Sequence, residues 1–125
     1  MKKLSIYYLI VLILSMTLSC SNQPKIRAGS ICTVENGDGK FGIVKILVID
    51  DEIIHVKIYK NQFDKRPSKI DIKTLSVGTL NDKDGFGVGH APLEKKGFYN
   101  WKPIEVGFET VTKDDLIGYE IWKDQ

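Results

Sequence analysis

The fold is decided by Ser30-Ile31-Cys32-Thr33-Val34, the turn Glu35-Asn36-Gly37-Asp38-Gly39, the run Phe41-Gly42-Ile43-Val44-Lys45-Ile46-Leu47-Val48-Ile49 and, after Asp50-Asp51-Glu52, the run Ile53-Ile54-His55-Val56-Lys57-Ile58-Tyr59. β-Branched residues crowd all three apolar runs, and such side chains fit a pleated surface. In the third run Ile54, Val56 and Ile58 share one face, while His55, Lys57 and Tyr59 share the other. Asn36-Gly37 and Asp38-Gly39 supply the positive φ that tight hairpins need. The pattern predicts three antiparallel strands in a meander.

Further along, Asn61 to Ser68 reads as a loop marked near its end by Pro67, and Ile70-Asp71-Ile72 and Thr74 to Leu80 read as short strands. The turn Asn81-Asp82-Lys83-Asp84-Gly85 leads into Phe86 to Leu93, where glycines alternate with larger residues. One face of that strand is bare, which lets another backbone approach closely or marks a bend. Glu94 to Tyr99 reads as a helical turn or loop. Thr112 before Lys113-Asp114-Asp115 is a helix start, with acids at the positive end of the dipole. Leu116, Tyr119 and Ile121/Trp122 then recur at helical spacing. A short helix is expected there, although Gly118 weakens it by about 1 kcal/mol relative to Ala; a final strand from Tyr119 to Trp122 is the alternative.

The 98 residues from Ala28 to Gln125 suffice for one small domain. Short, sharply turned strands with glycine bends predict a mainly β fold: a small Src-homology-3-like antiparallel β-barrel or meander with a short C-terminal helix. Gly29, Val34, Gly37, Gly39, Gly42 and the run Ile43 to Leu47 carry a resemblance to the opening of the KOW/Tudor class of Src-homology-3-like barrels. Members of that class bind RNA, peptides or cell-wall polymers, and the fold does not select among these.

The N-terminus carries a different signal. Lys2 and Lys3 precede Ile6 to Leu18, 13 uncharged and mostly apolar residues, and Ser19 then stands before Cys20. A bilayer span needs about 20 apolar residues, so residues 1–19 read as a removable export signal. Thr17-Leu18-Ser19-Cys20 resembles the lipobox of bacterial lipoproteins, with Thr17 where Leu is usual. The resemblance implies cleavage before Cys20 and lipidation of its thiol. The family's lipid carries more than one acyl chain, which implies a durable anchor, whereas one chain binds only marginally. Residues 20–27, polar and containing Pro24, then form a lipidated tether. Ser21 stands where Asp would retain an enterobacterial lipoprotein at the inner membrane. The resemblance therefore implies a membrane-anchored lipoprotein of the bacterial cell envelope, at the outer membrane where the cell has one.

Loss of Lys2 and Lys3 leaves 16 basic residues against 16 acidic ones. A neutral exported chain is a poor partner for nucleic acid, which calls for an excess of cations on one face. The richest basic stretch, Lys57 to Lys73, reads as a solvated strand edge and loop. With Cys20 lipidated, Cys32 stands alone in a β pattern and reads as a small buried hydrophobe with no base beside it.

Two histidines and one spare cysteine fall short of a zinc set, and no cofactor motif appears. Asp82-Lys83-Asp84-Gly85 lacks the outlying ligands of a calcium loop, whose positions hold Leu80 and Ala91. No acid/base or nucleophile set assembles, so the chain reads as non-catalytic. His55 is central in a strand, whereas His90 sits among glycines that permit close approach; a turn histidine bonded to backbone is its bland alternative. Aromatics crowd the second half and serve mainly to fill the core. Trp101, Tyr99 and Phe86, with His90, are the candidate binding residues, because Trp and Tyr anchor interfaces.

The expected function is a lipid-anchored envelope protein acting as a non-catalytic protein-binding module of accessory, inhibitor or immunity type. A binder of cell-wall glycan or peptide is the alternative, and a small hydrolase a third.

Overall fold

The computed structural model describes residues 25–125. Residues 1–19, read above as an export signal, and Cys20 with the expected tether before Lys25 lie outside the described residues.

The first hairpins form where β-branched residues and turn glycines place them. Strand β1 is Ser30–Glu35, β2 is Phe41–Ile49 and β3 is Ile53–Phe63. β3 runs through Asn61 to Phe63, which the sequence reads as loop. A three-residue 3-10 turn, Ile72–Thr74, stands in a segment otherwise without regular structure up to β4, Val88–Glu94. The two short strands expected at Ile70–Ile72 and Thr74–Leu80 are absent. Their apolar residues act one by one: Ile70, Ile72, Leu75 and Val77 pack as a lid without forming a ladder. Helix α1, Lys95–Asn100, follows, then β5, Ile104–Phe108. A 3-10 turn at Asp114–Leu116 leads into helix α2, Ile117–Lys123. The C-terminal segment is thus a helix and not a strand.

All strand pairs are antiparallel, in the order β4-β3-β2-β1-β5. The first four strands make the expected meander, and the chain then returns through α1 to add β5 beside β1. β4 and β5 remain at opposite edges of the sheet, so it is not closed into the barrel the sequence suggested. The reason is visible in the packing. A closed barrel folds one face of its sheet around a single core, whereas this sheet carries a core on each face.

On one face Cys32, Val34, Val44, Ile46, Ile54 and Val56 are buried around Phe98 of α1, with Ile26, Tyr99 and Trp101 packed against them. On the other, Ile31, Ile43 and Tyr59 lie beneath Ile70, Ile72, Leu75 and Val77. The rest of that second face is polar. It carries Lys45, His55 and Lys57, and the C-terminal turn and α2 are bound to it.

The bare face predicted around Gly87 is used. A Cβ there would overlap the Ile58 carbonyl, so only glycine lets this backbone lie against β3.

Candidate functional site

Pairing of β2 with β3 is interrupted near their far end. Gly42 faces Gln62 and Val44 faces Ile58, so one β2 residue stands against three of β3. Such a bulge bends the strand and re-aims its side chains. Beside it opens a cleft of about 380 Å³, with Val34, Ile43, Val44 and Ile58 in its lining. Phe86 and Trp101 also line it, and Glu35, Asn36, Asp38, Lys60 and Gln62 supply polar groups. Phe86 reaches it from the stretch pressed on β3 at Gly87, and Trp101 from the end of α1.

The charges in this cleft are unevenly engaged. Lys60 is held by Asp82 at 2.9 Å and Asp84 at 3.2 Å, an arrangement that raises the lysine and lowers Asp82 from their ordinary ranges through those hydrogen bonds. Glu35 meets its cations only loosely, Arg66 at 3.7 Å and Lys102 at 3.9 Å. Arg66 is committed elsewhere: it donates to Thr33 Oγ1 and to the Lys102 carbonyl, both at 2.9 Å. Glu35, with only these distant ion pairs, and Asp38, whose Oδ1 accepts from the Lys40 amide at 2.9 Å, are thus the carboxylates of the cleft with capacity left for a ligand.

Of the four residues singled out from sequence, the structure brings two together. Phe86, 53% exposed, and Trp101, half-buried, share the cleft. Tyr99 is half-buried against the first core beside Phe98. His90 lies apart, under α2, paired with His55. Trp101 also touches Phe98, so it packs and lines the cleft at once.

Sequence reasoning missed a second polar assembly. Lys45 is wholly buried, and its Nζ donates to Glu109 at 2.8 Å, to Asp115 at 2.9 Å and to the Thr110 carbonyl at 3.2 Å. Lys57 reaches the other oxygen of Asp115 at 2.7 Å. Thr112 and Asp115 cap each other, the Asp115 amide donating to Thr112 Oγ1 and the Thr112 amide to Asp115 Oδ2. The predicted cap at Thr112 is present, and its carboxylate partner doubles as the counter-ion of two lysines. Burial opposes the charge on Asp115, but hydrogen bonds from Lys57, the Thr112 amide and Lys45 hold its carboxyl well below the usual range.

Beside this network His55 Nδ1 lies 2.9 Å from His90 Nε2. His55 is fully buried, with Tyr119 and Trp122 packed edge-on against its ring. Burial and the neighbouring His90 lower His55 from its ordinary value, while Asp50 acts weakly in the opposite sense; burial lowers His90 as well. Among the described residues no group of three or more His, Cys, Asp or Glu is placed to hold a metal ion. Cys32 is buried, and its thiol is pushed up to about 12 by burial and by Glu105.

No protein-family model matches this chain, and neither a curated protein nor a solved structure matches it.

Proposed function

We propose that this domain is a non-catalytic protein-binding module held at the bacterial cell envelope by a lipid on Cys20. The observation that supports it is the cleft beside the β3 bulge. Phe86 is left largely exposed there although it is large and apolar, and Trp101 lines the same space. Small-molecule and peptide sites are typically concave, aromatic-walled and equipped with a few polar groups that orient the ligand. The apolar lining suits a partner's aliphatic or aromatic side chain, while Glu35, Asn36 and Gln62 offer acceptors and donors to its backbone. Accessory, inhibitor and immunity-type proteins act in this way, by occupying a partner's surface.

The anchor rests on the lipobox resemblance. Among the described residues no helix is long and apolar enough to cross a membrane, and residues 1–19 are read as removed.

A photo-crosslinking residue at position 86, used in intact cells, tests the recognition surface. One stoichiometric protein adduct that disappears on Trp101→Ala is the expected result. Sedimentation with purified cell wall, lost in the same variant, would replace the reading with glycan binding. Mass spectrometry of the mature N-terminus tests the anchor: an acylated Cys20 is expected, and an unmodified, differently cleaved end would remove it.

A further inference from the structure

The His55–His90 contact has the geometry of a clasp with room for one proton. The ring centroids are 5.1 Å apart and the planes within 11°, while the facing nitrogens approach to 2.9 Å. Nitrogens so much closer than centroids mean that the rings meet edge to edge in nearly one plane, joined by an N–H···N bond. One ring donates and the other must present a lone pair. When both rings are protonated, two N–H groups face each other and the bond is lost.

The remaining nitrogen of His55, Nε2, is buried and has no hydrogen-bond partner, so a charge on that ring would be poorly solvated. α2 closes over the pair. Tyr119 and Trp122 lie 4.8 and 4.7 Å from the His55 ring, centroid to centroid. A Cβ on Gly118 would stand 2.6 Å from the His90 Cβ, so the helix backbone presses on His90 itself.

We propose that protonation of this histidine pair releases α2 from the sheet, making the C-terminal helix an acid-opened flap. It swings on the turn before it, which stays fixed. Asp115 in that turn is tied to Lys45 and Lys57, and its carboxyl is held well below the range in which histidine titrates.

The charges around the pair fit this division. On β3, Lys57 lies two residues from His55 but is already committed to Asp115, as is Lys45 on β2. Asp50, after β2, favours charge on His55 but loses to burial and to His90. On β4 the pair is His90 itself. From α2 come the uncharged rings of Tyr119 and Trp122, while Glu120 is paired with Lys123 at 3.0 Å. None of these groups supplies a counter-ion in hydrogen-bond contact with either imidazole.

The sign follows from burial. Both histidines are held below their ordinary value, so the closed state is favoured at neutral pH. The open state takes up protons first as pH falls below about 6.5, the ordinary histidine value. Each linked proton raises the open fraction up to about tenfold per pH unit, and two raise it up to about a hundredfold. Opening bares His55, Tyr119 and Trp122. It leaves α2, whose outer face already exposes Ile117 (57%) and Ile121 (60%), free to dock elsewhere. The proposal does not depend on the cleft or on what fills it.

The test uses the full chain with Trp101→Phe, which leaves Trp122 as the sole tryptophan. Its emission is titrated from pH 8 to pH 4.5, and amide exchange, corrected for its intrinsic pH dependence, is followed residue by residue. The expected result is a red shift of Trp122 and at least a tenfold loss of protection across Ile117–Lys123 between pH 7 and pH 5, with β1 to β3 still protected. In the same background His90→Gln, on the half-exposed partner, should displace or flatten that transition while the fold persists. Overturning results are a helix still protected at pH 5, a transition indifferent to His90→Gln, or loss of sheet and helix protection at one midpoint.

Discussion

Lys45 Nζ sits 2.9 Å from Asp115 Oδ2, joining the middle of the sheet to the turn that launches α2, and none of the Lys45 side chain is exposed. A lysine so placed remains charged only because three acceptors surround it. Burial would lower it, but the hydrogen bonds that it donates to Glu109 and Asp115 outweigh that effect. Removing one member of a buried pair strands the other. Asp115→Ala takes the carboxylate from Lys57, leaves Lys45 with Glu109 as its one carboxylate and removes a cap, so it should lower unfolding free energy by about 3 kcal/mol. Lys45→Met leaves Asp115 with Lys57 and the Thr112 amide, and should lower it by less. Urea denaturation of the two variants checks the order; equal losses would mean that Asp115 is not the hub.

The same carboxylate sets the acid limit of the domain. Its folded value is lower than the value of about 4 for a free aspartate. The stability it contributes is therefore complete above pH 4 and is lost as pH falls through its lower folded value. Between pH 4 and pH 2 the natural chain should lose up to about 1.4 kcal/mol per pH unit from this group. Asp115→Asn should flatten that part of the profile in denaturation curves taken at each pH. Asp115 acts in a lower pH range than His55 and His90, so the two effects are separable.

Gly118 sits in α2, where Ala would be the better helix former by about 1 kcal/mol. Yet the added methyl would stand 2.6 Å from the His90 Cβ, closer than packed carbons come. Gly118→Ala should therefore lower the melting temperature, against the propensity. A rise would show that the helix shifts freely over His90.

These positions mark where reading the sequence succeeded and where it could not. The β1–β2–β3 meander was legible because alternation and Asn-Gly/Asp-Gly turns are local, and β2 falls on Phe41–Ile49 as expected. Strand β5 was overlooked. Ile104-Glu105-Val106-Gly107-Phe108 does alternate, but a five-residue edge strand gains its meaning from β1, more than seventy residues away. The open sheet follows from the same fact. Local turns look alike in a barrel and a meander, and only the long return through α1 separates them. Lys45, inside the apolar run of β2, read as an ordinary strand residue. Its burial depends on Glu109 and Asp115, which arrive from the other end of the chain. His90 was marked for its glycines, but its partner His55 comes from another strand, and no spacing rule connects them. Phe86 and Trp101 were picked by chemistry, and their meeting at a bulge in β3 required the fold.

Cys32 offers a sharp test of the first core. Its thiol is wholly buried, and it is pushed up to about 12 by burial first and by the nearby Glu105 charge second. The thiolate is the reactive form, so an aromatic disulfide reagent at pH 8 should not label it in the folded protein. Labelling should appear in step with urea unfolding. Rapid reaction without denaturant would mean that the α1 face opens readily. Cys32→Ser places a hydroxyl where Phe98 and Val44 pack, and should lower stability by about 1–3 kcal/mol.

Phe86 and Trp101 share a cleft but differ in what else they hold, and that difference separates recognition from stability. Phe86 stands half in solvent at the cleft wall, so Phe86→Ala should change unfolding free energy by no more than about 0.5 kcal/mol. Trp101 lies against Phe98, with ring centroids 6.1 Å apart, and it also packs on the first core. Trp101→Ala should therefore lower stability by about 3 kcal/mol, in the range of a packed aromatic. If the cleft is the recognition surface, pull-down of the partner from cells should fail with both variants, including the Phe86 change that leaves the fold intact. A Phe86→Ala protein that unfolds normally and still captures its partner would move recognition away from this cleft. Loss confined to Trp101→Ala would trace to damaged packing rather than to a missing contact.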